Sequence, residues 1–167
     1  PLARTRYVVF SSLPSHRTLP QRFCHCCSPW TWQNNKVEII KKNKTNPDQP
    51  KISKEVIIKS PSILRENQSE FSKTGGIHAS GLFNGNGDLI SVKEDVGRHN
   101  SLDKLIGVIL INGQIDPMNQ FITCSGRLNF ELVQKVLMTD IGIMIGVGAP
   151  TSLAIDLANK FDITLIG

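Results

Sequence analysis

Long hydrophobic runs are missing from the 167-residue sequence, although hydrophobic residues make up 40% of it. A membrane-spanning helix needs about 18 or more consecutive apolar residues, and no stretch reaches that length. The N-terminus also lacks the charged region followed by an apolar region that is typical of a secretion signal. We therefore expect a cytoplasmic protein with no membrane partner.

Cysteine is scarce as well: the chain has four, and three lie in one cluster, Cys24-His25-Cys26-Cys27. Zinc sites of the common kind need a second Cys-x-x-Cys pair, which is absent. Without a secretion signal, a structural disulfide is not expected. A low-pKa thiolate at Cys24 or Cys27 could instead carry a disulfide, a metal or a sulfur atom. Cys124 ends a predicted strand, and we expect it to be a small buried residue.

The familiar phosphate-binding and metal-binding motifs are also missing. Neither the GxxxxGK[ST] nor the GxGxxG pattern occurs. A zinc-dependent nucleotide deaminase needs an HxE motif and a PCxxC motif, but His78 is followed by Ala79 and Ser80. His78 and His99 lack cysteines or carboxylates at ligand spacing, so we expect no bound metal.

Basic residues are concentrated in the first part of the chain. Residues 1–74 hold 13 Lys and Arg against 5 Asp and Glu, whereas residues 75–167 hold 6 against 9. Such a basic part could contact nucleic acid, an anionic cofactor or an acidic protein surface, or it could be a solvated tail. We expect no nucleic acid partner.

Six prolines and the lack of a sustained hydrophobic period set residues 1–50 apart from the rest. The contrast predicts an atypical, poorly structured N-terminal segment with the cysteine cluster at 1–50 and a folded core at 51–167. The chain starts at Pro1 and ends within an apolar run, and both features suggest a fragment.

Hydrophobic periodicity predicts an alternation of strands and helices from residue 54 onward. Asn84-Gly85-Asn86-Gly87 is a strong hairpin signal between two of the strands. The predicted strands are 55–59, 77–83, 88–93, 120–124, 141–147 and 163–166, and the predicted helices are 61–71, 99–111, 128–138 and 151–160, the first opened by Ser60-Pro61. This order predicts a layered α/β domain with a mixed, mostly parallel sheet.

Three polar loops each follow a strand and open a helix: EDVGRHN (94–100), SGR (125–127) and GAPTS (148–152). Ligands bind beyond the carboxyl ends of strands in open α/β sheets, where helix N-termini attract anions. Arg98 and Arg127 suit phosphate, and Ser125, Thr151 and Ser152 add hydroxyl donors. These loops predict a phosphorylated, nucleotide-like ligand.

Two carboxylates in the first loop leave an alternative open. Glu94 and Asp95 could orient Arg98 and His99, or they could simply form a salt-bridged loop.

Three segments together, 74–107, 125–135 and 149–167, resemble the formate dehydrogenase accessory sulfurtransferase family, FdhD. EDVGRHNSLDK, followed at this spacing by SGR and APTSLA, carries the resemblance, which covers about residues 52–167.

The resemblance implies a three-layer α/β/α core like that of cytidine deaminases. It also implies a sulfurtransferase that takes sulfur from a cysteine desulfurase as a cysteine persulfide. The sulfur passes to the molybdenum cofactor, in its bis(molybdopterin guanine dinucleotide) form, for formate dehydrogenase. A homodimer is implied as well.

The site residues follow from the same resemblance. Cys27 or Cys24 would carry the sulfur, with Arg17, Arg22 and His25 near enough in sequence to lower a thiol pKa. The guanylate and phosphates would be bound by Gly75, Gly76, His78, Arg98, His99, Ser125, Arg127, Thr151 and Ser152.

Departures from the family pattern leave an alternative function open. The family's cysteine loop is rich in glycine, whereas CHCC has no neighbouring glycine, and the family's C-terminal tail extends beyond the position of Gly167. Asn129 and Gly148 replace two usual serines. The alternative is a molybdenum-cofactor-binding chaperone without sulfur-transfer activity.

Overall fold

A computed structural model describes residues 7–8, 52–113 and 115–167, which all belong to one compact unit. Residues 1–6 and 9–51 lie outside the described part, so the prediction of a poorly structured N-terminal segment at 1–50 stays a prediction. The strands are β1 (Tyr7–Val8), β2 (His78–Asn84), β3 (Leu89–Asp95), β4 (Gln120–Arg127), β5 (Ile143–Gly148) and β6 (Thr164–Ile166). The helices are α1 (Lys54–Glu66), α2 (Ser69–Thr74), α3 (Arg98–Asn112), α4 (Phe130–Leu137) and α5 (Ser152–Lys160).

The strands form one mixed sheet in the order β1-β6-β5-β4-β2-β3. β4, β5, β6 and β1 pair in parallel, while β2 pairs antiparallel with both β3 and β4. The predicted mixed, mostly parallel sheet is confirmed. None of the helices in the described part is long and apolar enough to cross a membrane.

Helices cover the two faces of the sheet because successive strand residues point to opposite sides. On one face, α1 packs on a core that includes the stacked rings of Phe83 and Phe121, 5.1 Å between centroids. On the other face, Ser101 of α3 meets Ser80 of β2 at 3.1 Å between hydroxyl oxygens. The helices α3, α4 and α5 pack side by side. The α/β/α layering is therefore as predicted.

The first predicted strand is wrong. Residues 55–59 belong to α1, which begins at its N-cap Ser53, whose hydroxyl accepts from the Val56 N–H at 3.3 Å. Ser60-Pro61 does not open a helix, because both residues lie inside α1. The predicted helix 61–71 is thus two helices, broken after Glu66.

Pro61 is tolerated inside α1 because a neighbour replaces its missing hydrogen bond. Proline has no N–H to donate to the carbonyl four residues earlier. That carbonyl belongs to Ile57, and the Ser60 hydroxyl donates to it at 3.0 Å. Ser60 also accepts a hydrogen bond from Thr123 on β4 at 3.1 Å, which ties α1 to the sheet.

The remaining elements follow the predictions with shifted ends. The hairpin between β2 and β3 turns through Gly87, which has a φ of 95°, and the Asn84 side chain accepts from two backbone N–H groups in the turn. SGR is not a turn, because Ser125, Gly126 and Arg127 are the last residues of β4.

Candidate functional site

The polar segments EDVGRHN, SGR and GAPTS lie at one edge of the sheet, with SGR forming the last residues of β4. β3, β4 and β5 run in the same direction, because β2 is antiparallel to both β3 and β4, and β4 is parallel to β5. Each is followed directly by a helix: β3 by α3, β4 by α4 and β5 by α5. This edge is where an open α/β sheet binds its ligand.

His78 and Ser125 form the centre of this edge. His78 begins β2 and Ser125 lies near the end of β4, so the antiparallel pairing of these strands brings the two together. His78 Nδ1 is 3.3 Å from Ser125 Oγ, and Ala79 N donates to the same oxygen at 2.9 Å. A Cβ at Gly126 would lie 3.3 Å from His78 Cε1, so glycine allows the ring to approach β4.

Arg98, the first residue of α3, contributes a buried donor beside His78. Its Nε is buried without a hydrogen-bond partner among the described residues. A Cβ at Gly126 would also lie 3.7 Å from Arg98 Cδ, so the arginine stem passes the same glycine. The pKa of His78 is lowered, mainly by desolvation and then by the positive charges of Arg98 and His99. A buried, partnerless guanidinium donor beside a neutral imidazole suits an anionic oxygen.

His99 is engaged elsewhere. Its Nε2 lies 2.9 Å from Glu131 Oε2 and 3.0 Å from Asn129 Nδ2. Asn129 is the N-cap of α4, and its side-chain oxygen accepts from the Leu132 N–H at 3.1 Å. In the described part of the chain, His99 therefore joins the starts of α3 and α4.

The two loop carboxylates do not orient Arg98 and His99. Glu94 accepts from the Glu70 and Phe71 N–H groups at 3.0 Å each, so it caps α2. Asp95 pairs with Lys104 at 2.6 Å. Hydrogen bonds from Lys104, Gly97 and Asn100 lower the pKa of Asp95 to about 2. The salt-bridged loop is the alternative that the structure supports.

Arg127, Thr151 and Ser152 lie around the ends of β4 and β5. Arg127 is opposite Gly148 in the sheet, and a Cβ at Gly148 would come within 2.7 Å of Arg127 Cγ. Thr151 is the N-cap of α5 and accepts from the Ala154 N–H at 3.3 Å. Ser152 is exposed at the first position of α5. Thr151 therefore has a structural role, while Arg127 and Ser152 are open to solvent.

A cleft of about 620 Å³ lies between α1, α2 and this edge of the sheet. Four predicted residues line it, namely Gly75, Gly76, His78 and Ser125. Gly75 ends α2 with a φ of 70°, a conformation that favours glycine. Arg98, His99, Arg127, Thr151 and Ser152 are not among the residues that line it.

The wall of the cleft formed by α1 and α2 was not predicted from the sequence. The Arg65 guanidinium lies 3.9 Å from the centroid of the Phe71 ring, within the range of a cation–π contact. Leu64 and Ile77 add apolar surface beside them. The predicted single helix 61–71 concealed this wall, because Arg65 and Phe71 are six residues apart and lie on different helices, α1 and α2, that meet after a helix break.

The two proposed sulfur carriers, Cys24 and Cys27, lie outside the described residues. Cys124 is buried in the core, with its sulfur 3.6 Å from Ser80 Oγ. Burial raises the pKa of its thiol to about 11, so Cys124 is a poor nucleophile, as expected for a small core residue. Over the described ranges, no cluster of three or more His, Cys, Asp and Glu could hold a metal ion.

Comparison with known proteins places these features in a family. The FdhD/NarQ family model matches residues 8–167. The sulfur carrier protein FdhD of Saccharolobus solfataricus is 47% identical over 117 residues, which are 70% of this chain and 46% of the relative. The FdhD protein of Sulfolobus acidocaldarius is 42% identical over 133 residues, which are 80% of this chain and 50% of the relative.

A solved structure agrees with the sequence relatives. The crystal structure of a formate dehydrogenase accessory protein from Desulfotalea psychrophila superposes with a TM-score of 0.56 and 35% identity. The match covers 65% of this chain and 49% of that chain. The present chain thus spans about half the length of the relatives it matches. With the family model matching nearly the whole sequence, the chain belongs to the FdhD/NarQ family.

Proposed function

We propose that this chain acts as a sulfur carrier for formate dehydrogenase, taking sulfur from a cysteine desulfurase and passing it to the molybdenum cofactor. The cofactor, as bis(molybdopterin guanine dinucleotide), is the substrate. Its guanylate and phosphates bind at the site edge, which is the sheet edge that carries His78, Arg98 and Ser125. Formate dehydrogenase and a second copy of the chain are the other proposed partners, in the cytoplasm. The relatives named sulfur carrier protein FdhD support this reading.

One observation carries the binding half of the proposal. Arg98 Nε is buried beside His78 and has no hydrogen-bond partner among the residues that the structure describes, and the His78 ring lines the cleft. Buried polar groups almost always have a partner, so such a donor is suited to an oxygen supplied by a ligand. At the rim, the guanidinium of Arg65 over Phe71 offers a flat cationic face on which a planar base can stack.

The transfer half depends on Cys24 or Cys27. A thiolate there would attack the outer sulfur of the desulfurase persulfide. One S–S bond forms as another breaks, and the desulfurase leaves as a thiolate, so no external oxidant is needed. Cys124 cannot take this role in its buried position, because its pKa is about 11.

Intact-mass spectrometry of the full chain, incubated with a cysteine desulfurase and cysteine, tests the transfer half. We expect a gain of one sulfur that dithiothreitol reverses. Cys24→Ser or Cys27→Ser should abolish the gain, whereas Cys26→Ser and Cys124→Ala serve as matched controls that keep it. If the chain gains no sulfur but still binds GDP, the transfer half fails and the cofactor-binding chaperone is the correct reading.

Calorimetric titration with GDP tests the binding half. Arg98→Gln should weaken GDP binding about tenfold or more, because a hydrogen bond to a charged group contributes roughly 1.5–3 kcal/mol. Lys160→Gln, which removes one positive charge at the far end of α5, is the matched control and should bind GDP like the wild type. Equal losses in both variants would mean that net charge, rather than the Arg98 site, attracts the nucleotide.

A further inference from the structure

Among the described residues, the Ser125 hydroxyl has one acceptor to which it can donate its proton. Ser125 Oγ already accepts a hydrogen bond from the Ala79 backbone N–H at 2.9 Å. Its other polar neighbour is His78 Nδ1 at 3.3 Å, and no further partner of this hydroxyl occurs among the residues that the structure describes. The hydroxyl therefore meets its hydrogen-bonding capacity best by donating its proton to Nδ1.

A ring nitrogen that accepts a hydrogen bond carries no proton of its own. With Nδ1 as acceptor, the neutral imidazole of His78 holds its proton on Nε2. Gly126 leaves the ring close to β4, because a Cβ there would lie 3.4 Å from Nδ1. Nε2 has no hydrogen-bond partner within the described part of the chain, and the ring lines the cleft.

The charges around His78 favour the neutral ring. Desolvation is the main cause that lowers the pKa of His78, and the positive charges of Arg98 on α3 and of His99 next to it lower it further. Asp95 lies opposite His78 in the β2–β3 register, but its carboxylate is paired with Lys104. An imidazolium at this position would be repelled by the arginine that shares the site, whereas a neutral donor would not.

We propose that Ser125 is a positioning residue that holds His78 in its Nε2–H form, so that His78 donates a neutral hydrogen bond to an anionic oxygen of the phosphorylated ligand. This inference rests on the proposed binding of a guanylate at the same site. It assigns different tasks to the two neighbours: Arg98 supplies the positive charge, and His78 supplies a directed donor without adding a second charge. Such a pair recognises an oxygen by position as well as by charge.

Nitrogen-15 spectroscopy of the full chain with labelled histidine tests the inference, because the two tautomers give distinct ring nitrogen shifts. His78→Gln identifies the signals of His78 among the four histidines. In the wild type without ligand, we expect the Nε2–H tautomer. Ser125→Ala should yield a mixture of tautomers and weaken GDP binding severalfold, and Ser125→Thr, which keeps the hydroxyl, should restore both.

Ser91→Ala on β3 is the matched control and should leave the His78 signals and GDP binding unchanged. An Nδ1–H tautomer in a wild type that binds GDP would overturn the inference while the proposed function stands. A wild type with the Nε2–H tautomer that does not bind GDP would overturn the proposed binding and the donation, but not the positioning by Ser125.

Discussion

Single residues at the site edge have roles set by their neighbours rather than by their type. Asn129, in SGRLN, caps α4 and contacts His99, so a position that departs from the family pattern still has a structural task. Thr151 caps α5. Ser125 caps no helix, and its hydroxyl instead joins β2 to β4 through Ala79 and His78. Of these three short polar residues before helices, two are therefore helix caps and one links two strands.

Asp95 gives a prediction for acid stability. Its pKa of about 2 in the folded chain is below the ordinary value of 3.8, so its ion pair stabilises the fold above pH about 4. This stabilisation falls away as the pH drops from about 4 toward 2. Asp95→Asn should therefore lower Tm at pH 7, with the difference from wild type shrinking across that interval in thermal unfolding.

Asp156→Asn on the exposed side of α5 is the control for this series. Asp156 makes no hydrogen bond or ion pair within the described ranges, so its variant should follow the wild-type curve at every pH. A constant Tm difference for Asp95→Asn from pH 7 to pH 2 would contradict the proposed ionic origin.

At the scale of the element, α1 depends on local compensation for a proline. Ser60 supplies the hydrogen bond that Pro61 cannot, and it also accepts from Thr123. Ser60→Ala should lower the free energy of unfolding by about 1–3 kcal/mol, because it leaves the Ile57 carbonyl and the Thr123 hydroxyl short of partners. Denaturant titration measures this change.

Combining Ser60→Ala with Pro61→Ala separates the loss of the hydrogen bond to the Ile57 carbonyl from the loss of the contact with Thr123. Alanine restores a backbone N–H toward the Ile57 carbonyl, so Ser60→Ala should cost less in that background. An unchanged cost would mean that the contact with Thr123, and not the proline, makes Ser60 important.

Strand β5 gives a second element-scale prediction. A Cβ at Gly146 would lie 2.6 Å from Cγ of Leu128, which is fully buried. Gly146→Ala should destabilise the fold by about 1–3 kcal/mol, as overpacking of a core does. Gly107→Ala in α3 is the matched control. A Cβ there meets no atom within 4 Å, so it should stabilise the chain by roughly 0.5–1 kcal/mol in the same denaturant titration.

At the scale of the whole molecule, the sheet order brings candidate site residues together from distant parts of the chain. His78, Arg98 and Ser125 come from β2, α3 and β4, and the cleft adds Arg65 from α1. A ligand that contacts four elements stabilises the folded state as a unit. GDP at 100 times its Kd should therefore raise the free energy of unfolding by about 2.7 kcal/mol.

Thermal unfolding with and without nucleotide measures this linkage. Arg98→Gln should show a smaller rise in Tm at the same GDP concentration. A wild type whose Tm does not respond to GDP would contradict binding to the folded core.

The sequence by itself determined the alternation of elements from residue 77 onward and the three polar segments, EDVGRHN, SGR and GAPTS, that lie together at one edge of the sheet. Apolar runs such as 141–147 and turn signals such as Asn84–Gly87 are local, and they specify a strand or a hairpin without reference to the rest of the chain. The choice of His78, Arg98 and Ser125 as candidate ligand contacts rested on the family resemblance together with these loops.

Where local signals conflict, only the tertiary structure decided which secondary structure forms and which partners a side chain contacts. The run EVIIK has the composition of a strand, yet it forms α1, because the Ser53 cap and burial against the sheet outweigh β propensity. The partners of Glu94, Asp95 and His99 are likewise set across elements, by the helices that end or start beside them. Contacts between residues far apart in sequence leave no periodic signal, so the cleft wall and the separate roles of the loop residues emerged only from the fold.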